Sequence, residues 1–303
     1  MTGSETFAPT PGQPETLAPG LRRILAPNPS PMTWRGTNTY LLGRRDLAVI
    51  DPGPEDARHL AAILAALEPG QRISHVFVTH AHVDHSPLAR RLSRETGAPV
   101  HAFGDAGAGR SKVMRDLARA GLTGGGEGVD RDFTPDIALC DQDRVDGEDW
   151  QLKALWTPGH FGNHLCLAWG DVIFTGDLVM GWASSLVSPP DGDLTDFMAS
   201  CRRLRGVRAR IFHPGHGAPV HDPAARLDWL IAHRRTREAA ILAALSDGPV
   251  DVTGLTERIY TDTPIALRPA AARNVLAHII DLYRKNIVEA EGNFDPSATF
   301  RLA

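Results

Sequence analysis

The sequence predicts an α/β protein with a helical C-terminal part. Three observations carry this. Short apolar runs of strand length alternate with segments whose apolar residues recur at helical spacing. Turns containing Gly, Pro and Asp separate the two kinds of segment. After Gly217 the strand-like runs give way to long helical patterns.

The elements follow in order. Residues 1–20 are rich in Pro, Thr, Gly and Ser, which predicts a disordered tail. Strand-like runs fall at 40–42, 47–50, 73–78, 100–103, 152–156, 164–169 and 172–174. Helical patterns occupy 55–67 and 87–96. Residues 104–134 interrupt the rhythm: 110–120 reads as helix, and Gly124-Gly125-Gly126-Glu127-Gly128 as a flexible link. A segment of this length is either a lid or substrate wall, or an ordinary surface excursion. Residues 21–220 are therefore expected to form the main domain and 221–303 a smaller one. In the latter, helical patterns at 221–245, 251–260 and 269–284 precede two short strand-like runs, Ile287-Val288-Glu289-Ala290 and Thr299-Phe300-Arg301-Leu302. Helices followed by two short strands read as a winged-helix-like domain. From Asp222 onward there are 10 Lys and Arg against 11 Asp and Glu, which is not the basic footprint of a duplex-binding module.

Composition fits a globular enzyme. The 303 residues are 42% hydrophobic and 22% charged, enough for one large α/β domain and a small companion. A net charge of −4 gives no global attraction to nucleic acid or anionic membrane. No apolar run approaches the ~18 residues of a membrane span, and the first residues lack the pattern of a secretory signal. Cys140, Cys166 and Cys201 form no CxxC pair and read as reduced, mostly buried thiols, so a cytoplasmic location is expected.

One stretch dominates the chemistry. The run Ile73-Ser74-His75-Val76-Phe77-Val78 leads into Thr79-His80-Ala81-His82-Val83-Asp84-His85. Three imidazoles and a carboxylate crowd the end of a strand, a ligand set suited to Zn²⁺ or a similar divalent ion. A solvated His-rich loop is the alternative, but the same context recurs downstream. His160 follows Leu155-Trp156-Thr157-Pro158-Gly159. Asp177 follows Val172-Ile173-Phe174-Thr175-Gly176, and His216 follows Ile211-Phe212-His213-Pro214-Gly215. Each time an apolar run ends, a glycine frees the backbone, and a ligand-type side chain appears. Strands presenting ligands from one rim of a sheet make one site.

This ordered set resembles the metallo-β-lactamase superfamily of hydrolases, over about residues 23–217. The resemblance implies two β-sheets sandwiched between helices, an αββα architecture. It implies one metal on His80, His82 and His160, and a second on Asp84, His85 and His216, with Asp177 bridging them. Asp51, in Ile50-Asp51-Pro52-Gly53, matches the family's early Asp and is expected to orient a ligand His. Two metals about 3.5–4 Å apart can share a water, lower its pKa and present hydroxide as nucleophile. Asp84, both ligand and nearest carboxylate, is the expected proton shuttle to the leaving group. Asp177 stands where antibiotic-degrading members would carry Cys, and His160 and His216, 56 positions apart, leave no room for the extra domain of the large RNA-processing branch. The stretches Asn28-Pro29-Ser30-Pro31-Met32-Thr33, Gly36-Thr37-Asn38-Thr39-Tyr40, Thr157 to His164 and Ser188-Pro189-Pro190-Asp191-Gly192-Asp193 resemble the group carrying a C-terminal winged helix. Phe161 departs from it where Thr is common, which predicts a reshaped pocket beside His160.

Lesser expectations complete the set. His164 should contact substrate or hold a ligand, against a purely structural role. Asn38, Thr39, Ser184 and Ser185 could line the pocket mouth, against simple turn chemistry. His75, His101, His213, His221, His233 and His278 read as structural or solvated. Two divalent ions, zinc first, are the expected cofactors; iron or manganese also suits such ligands. A small ester or thioester, single-stranded RNA, and a non-catalytic scaffold are the three functional readings. An iron-dependent oxidation exists among relatives, and the full second ligand set speaks against it. An apolar helix face near the C-terminus raises the expectation of a homodimer.

Overall fold

The computed structural model describes residues 7–122, 128–292, 294–295 and 297–303. Two sheets pack face to face. The first holds β1 (Pro14–Ala18), β2 (Leu21–Leu25), β3 (Asn38–Leu42), β4 (Asp46–Ile50), β5 (Arg72–Phe77), β6 (Val100–Ala102) and β7 (Ile137–Ala138), in that spatial order. Pairing is antiparallel from β1 to β4 and parallel from β4 to β7. The second holds β8 (Arg144–Asp146), β9 (Gln151–Trp156), β10 (Leu165–Trp169), β11 (Val172–Gly176) and β12 (Ile211–Pro214), with only β11 and β12 parallel. Between the sheets Tyr40, Leu42, Ile50 and Phe77 meet Leu152, Leu165, Leu167 and Phe174.

Helices cover both outer faces. On the first sheet lie α1 (Ala57–Ala65) and α2 (Pro87–Thr96), whose Leu60, Ile63, Leu88 and Leu92 bury Val49 and Val76. Asp56 starts α1 by accepting the amides of Arg58 and His59. Pro87 starts α2, and Gly97 ends it in the left-handed conformation. A short α3 (Lys112–Arg119) follows β6. On the second sheet lie α4 (Leu194–Arg205) and the first half of α5 (Pro223–Ser246), through Leu194, Phe197, Cys201, Leu204, Leu227 and Leu230. This is the αββα sandwich. The sequence reading overlooked α4, although Asp193 caps it and Leu194, Phe197, Cys201 and Leu204 recur at helical spacing.

The C-terminal part is built from the second half of α5, α6 (Val252–Ile259), α7 (Arg268–Arg284) and the hairpin of β13 (Val288–Ala290) with β14 (Phe300–Leu302). Ile241, Leu245, Leu255, Val275, Ile279, Leu282, Val288 and Phe300 form its core. The helix α5 therefore belongs to both cores. The apolar face of α7 that raised the expectation of a dimer is consumed inside the chain. Val275 and Ile279 face the C-terminal core, and Leu276 and Ile280 pack on Met114 and Leu122 of the 104–134 segment.

Two further expectations change. The tail predicted over residues 1–20 is ordered where it is described: β1 pairs with β2, and Phe7 is buried under the Arg23 guanidinium and against Trp34. Its composition misled because backbone pairing with β2 asks little of side chains. The described parts of the 104–134 segment pack against the metal loop and α7. The return leg runs along the His-rich loop, with Val83 N donating to Gly128 O at 2.7 Å and Asp130 N to Ala81 O at 2.9 Å. The glycine run expected to be flexible lies, as far as Glu127, outside the described residues. Among the described residues no helix is long and apolar enough to cross a membrane.

The anchoring of Phe7 gives a stability test. Phe7→Ala should lower the unfolding free energy by about 1–3 kcal/mol, since it removes a buried ring and its contacts. Denaturant titration measures this, and an unchanged midpoint would mean that the segment is loosely attached.

Candidate metal centre

All seven ligand-type residues meet at one rim of the sandwich. His80, His82, Asp84 and His85 lie in the loop after β5, His160 after β9, Asp177 at the end of β11, and His216 after β12. They form two groups. The nitrogens of His80, His82 and His160 lie within 4.8 Å of one another, as do donor atoms of Asp84, His85, Asp177 and His216. In the first group His82 Nδ1 stands 2.9 Å from His80 Nε2 and 3.1 Å from His160 Nε2. In the second, His216 Nε2 stands 3.2 Å from His85 Nε2, 3.1 Å from Asp84 Oδ2 and 3.3 Å from Asp177 Oδ2. Asp177 faces both groups, because the same Oδ2 lies 3.8 Å from His160 Nε2.

The imidazoles are oriented from behind. His160 Nδ1 bonds Leu186 O at 2.7 Å and His216 Nδ1 bonds Gly36 O at 3.1 Å. A carbonyl only accepts, so each Nδ1 carries the proton and, in the neutral ring, leaves Nε2 with a lone pair. His85 Nδ1 bonds Asp51 Oδ2 at 2.9 Å. Thr79 donates to the same carboxylate through its amide at 2.7 Å and its hydroxyl at 2.8 Å. That leaves the Thr79 oxygen to accept from His80 Nδ1, 3.0 Å away. Asp51 thus fixes one His of each group, and it sits at φ 51°, a left-handed conformation Asp tolerates better than most residues.

These residues fit divalent metal. Ring nitrogens on one tetrahedral zinc stand about 3.3 Å apart, given Zn–N near 2.0–2.1 Å; the observed spacings are close to this. Lone pairs converging in a buried site need a cation between them. Asp177 Oδ1 is buried without a hydrogen-bond partner, 3.5 Å from His85 Nε2, and calls for the same. Close approach requires glycine at two points. A Cβ on Gly215 would fall 2.5 Å from Asp177 Oδ1, and one on Gly159, at φ +137°, 2.2 Å from the Phe197 backbone.

The lesser candidates sort differently. Asn38 and Thr39 do not line the mouth: both are fully buried. Asn38 Nδ2 donates to Pro214 O and Gly217 O, holding the His216 loop, while Thr39 Oγ1 bonds Asp51 O and His59 Nε2. Consecutive on β3, they point to opposite faces, Asn38 toward the His216 loop and Thr39 toward Asp51 and α1. Ser184 and Ser185 are not among the residues lining the cleft: Arg234 donates to both carbonyls, and the Ser185 hydroxyl donates to Leu178 O. His164 is fully buried behind His80, with Nδ1 on Thr157 Oγ1, and touches no open space. Phe161 is buried too, edge-on to the His82 ring at 4.8 Å, so it backs His82 instead of reshaping the pocket. Thr79, Arg234 and Asn274 escaped the sequence reading. The signal for Arg234 was a cation on the helix face that carries Leu227, Leu230, Ile241 and Leu245.

A cleft of about 720 Å³ opens onto the centre. Its walls include Met32, Val83, Met180, Leu186, Ala266, Pro269 and Ala270. Among the described residues, Asp84, Asp177 and Asp191 are its acids and Arg273 its one lining Lys or Arg. The start of α7 closes one side, so the C-terminal part walls the cleft.

The electrostatics of the metal-free protein set a proton competition. Burial works against charge on His216, but Asp177 and Asp84 prevail and lift its pKa to about 10. Burial likewise opposes charge on His85, and Asp84, Asp177 and Asp51 raise it nonetheless. Burial, then His85 and His82, push His80 well below its ordinary value. A cation and a proton compete for His216 Nε2. With a raised pKa the proton is present at pH 7 and lost as pH climbs through about 10. Zinc uptake at pH 7 should therefore release protons, and affinity should increase with pH up to that point. Calorimetric titrations in buffers of different ionisation enthalpy measure the release; heats independent of buffer would contradict it.

Known proteins share this plan. Residues 32–216 match the model of the metallo-beta-lactamase superfamily, and residues 252–295 that of the beta-lactamase associated winged helix domain. A beta-lactamase-like protein 2 homolog of Caenorhabditis elegans is 29% identical, covering 91% of this chain and 88% of its own. An atrochrysone carboxyl ACP thioesterase of Aspergillus fumigatus is 33% identical, covering 77% and 67%. Among solved structures, a metallo-beta-lactamase family protein of Thermus thermophilus is 26% identical with a TM-score of 0.76, covering 95% of this chain and all (100%) of that one. The chain thus belongs to the metallo-β-lactamase superfamily, as a metal-dependent hydrolase that carries a C-terminal winged-helix domain.

Proposed function

We propose that this hydrolase cleaves a small ester or thioester with a largely apolar acyl part, using two divalent ions, zinc first. One ion is assigned to His80, His82 and His160, the other to Asp84, His85 and His216, with Asp177 between them. The observation that carries the substrate class is the cleft: apolar along most of its wall, acidic at its floor, with Arg273 as the one lining Lys or Arg among the described residues. An acyl chain fits such a surface. Single-stranded RNA would call for a cationic groove with stacking aromatics, and the 303 residues carry a net −4. The thioesterase names of the Aspergillus fumigatus relative and of a Claviceps purpurea relative, 30% identical over 76% of this chain, point the same way. A non-catalytic scaffold would have no need for seven converging donor groups with fixed tautomers.

Metal so held supplies a nucleophile from water near neutral pH and polarises the acyl carbonyl. The chain's own residues do the rest. Met180, Leu186 and Ala270 exclude bulk water from the acyl side. Asp51, Thr79, Leu186 O and Gly36 O keep four ring nitrogens aimed. Asp84 lines the cleft. Burial disfavours its charge, but His85 and His216 hold its carboxyl well below the ordinary range and keep it ionised; its place on the cleft wall is what assigns it the proton from the attacking water. It can then return the proton to the leaving sulfur or oxygen.

Elemental analysis and parallel assays on an acyl thioester and a single-stranded RNA test this. The expected result is near two equivalents of zinc and thioester turnover that His82→Ala abolishes. Asp84→Asn should lower kcat by about 10²–10⁴, as for loss of general acid–base assistance. RNA cleavage that collapses as salt rises, with no thioester turnover, would overturn the substrate class. One equivalent of iron without hydrolysis would overturn the mechanism.

A further inference from the structure

We infer that Arg234 and Asn274, supplied by α5 and α7, are positioning residues that set the direction of His160 through the loop at 184–188. The inference rests on the reading of His160 as a metal ligand.

Arg234 is 2% exposed, yet no carboxylate pairs with it among the described residues. Its Nη1 and Nη2 instead bond backbone and amide oxygens, while Nε is buried without a partner. Nη2 donates to Ser184 O at 3.0 Å and Ser185 O at 2.7 Å, and Nη1 to Asn274 Oδ1 at 2.9 Å. The cation also lies 5.0 Å from the Phe197 ring centroid. Asn274 Oδ1 accepts a second bond, from Val187 N at 3.1 Å. The two side chains therefore grip Ser185 and Val187, the residues on either side of Leu186. Leu186 O is the acceptor that holds the proton on His160 Nδ1, at 2.7 Å. Ser185 is held at φ 64°, a conformation an L residue adopts only when its surroundings impose it.

Packing does not account for these choices. Arg234 occupies a helix face otherwise given to Leu227, Leu230, Ile241 and Leu245, where an aliphatic side chain would avoid burying a charge. What an aliphatic residue cannot do is bind two consecutive carbonyls and an amide oxygen at once. Groups that orient a ligand His through its far nitrogen affect metal affinity directly. In this chain Arg234 comes from the half of α5 that packs on the sandwich and Asn274 from the segment matched to the winged-helix domain, so that domain contributes to holding the metal centre as well as walling the cleft.

The test uses the full chain, stripped of metal and titrated with cobalt(II), whose visible absorption reports ligand geometry. Asn274→Ala and Arg234→Lys should stay folded by thermal melt, weaken one cobalt site by about 10–100-fold, and change its absorption. Asn274→Asp keeps the oxygen that Val187 and Arg234 require and should behave as the parent chain. His160→Ala is the reference for loss of the ligand. If Arg234→Lys fails to fold, the Asn274 pair decides, because Asn274 is only half-buried and alanine suits a helix. Parent-like cobalt affinity and absorption in Asn274→Ala, with loss in His160→Ala, would overturn the positioning role and leave His160 as ligand. Parent-like behaviour of His160→Ala itself would overturn both.

Discussion

Everything in this protein is arranged around one electrostatic constraint. Four imidazole groups and two carboxylates converge on a small buried space, together with the half-exposed His82. Neutral rings with facing lone pairs, and carboxylates without donors, are costly when removed from water. The site is satisfied when every lone pair meets a cation or a proton and every other ring position has its own partner. The backing shell meets the second condition with an ordered set of acceptors: Asp51, Thr79, Leu186 O and Gly36 O.

That shell explains why the sandwich is built as it is. The ligands come from loops after β5, β9, β11 and β12, so both sheets must be in register at one rim. Asn38 and Tyr40 of β3 reach across to Pro214 O, tying the first sheet to the His216 loop of the second. Gly215 and Gly159 let backbone pass where a side chain would collide with Asp177 or with α4. The interior between the sheets therefore serves as the mount on which four separate loops are held to a common point.

The C-terminal part enters the same scheme from outside. The helix α7 contributes Pro269, Ala270 and Arg273 to the cleft, and Arg273 Nε bonds Ser188 Oγ at 2.9 Å. With Asn274 beneath the same loop, a segment that supplies none of the seven ligand-type residues borders one side of the cleft. A net charge near zero in this part of the chain suits packing against an acidic cleft better than binding a polyanion.

Much of this was legible in the sequence. The strands at 40–42, 73–78 and 152–156, and helix α2 to the residue, follow from apolar runs, helical spacing and a Pro–Gly frame. The seven ligand-type residues were legible because chemistry demands particular side chains after particular strand ends, and Asp51 through its match to the family's early Asp. The tail, α4, and the roles of Asn38, Thr39, Ser184, Ser185 and Phe161 were not. Each depends on what lies across the fold from it: Phe7 on Trp34, Thr39 on His59, Ser185 on Arg234, Phe161 on His82. The sequence by itself thus determined the donor atoms and the order in which the chain delivers them, since these are local properties of residue type and spacing. Only the tertiary structure decided which ring nitrogens stay unprotonated and which residues face the cleft. Both depend on hydrogen bonds between segments up to 180 positions apart, and no local pattern records them.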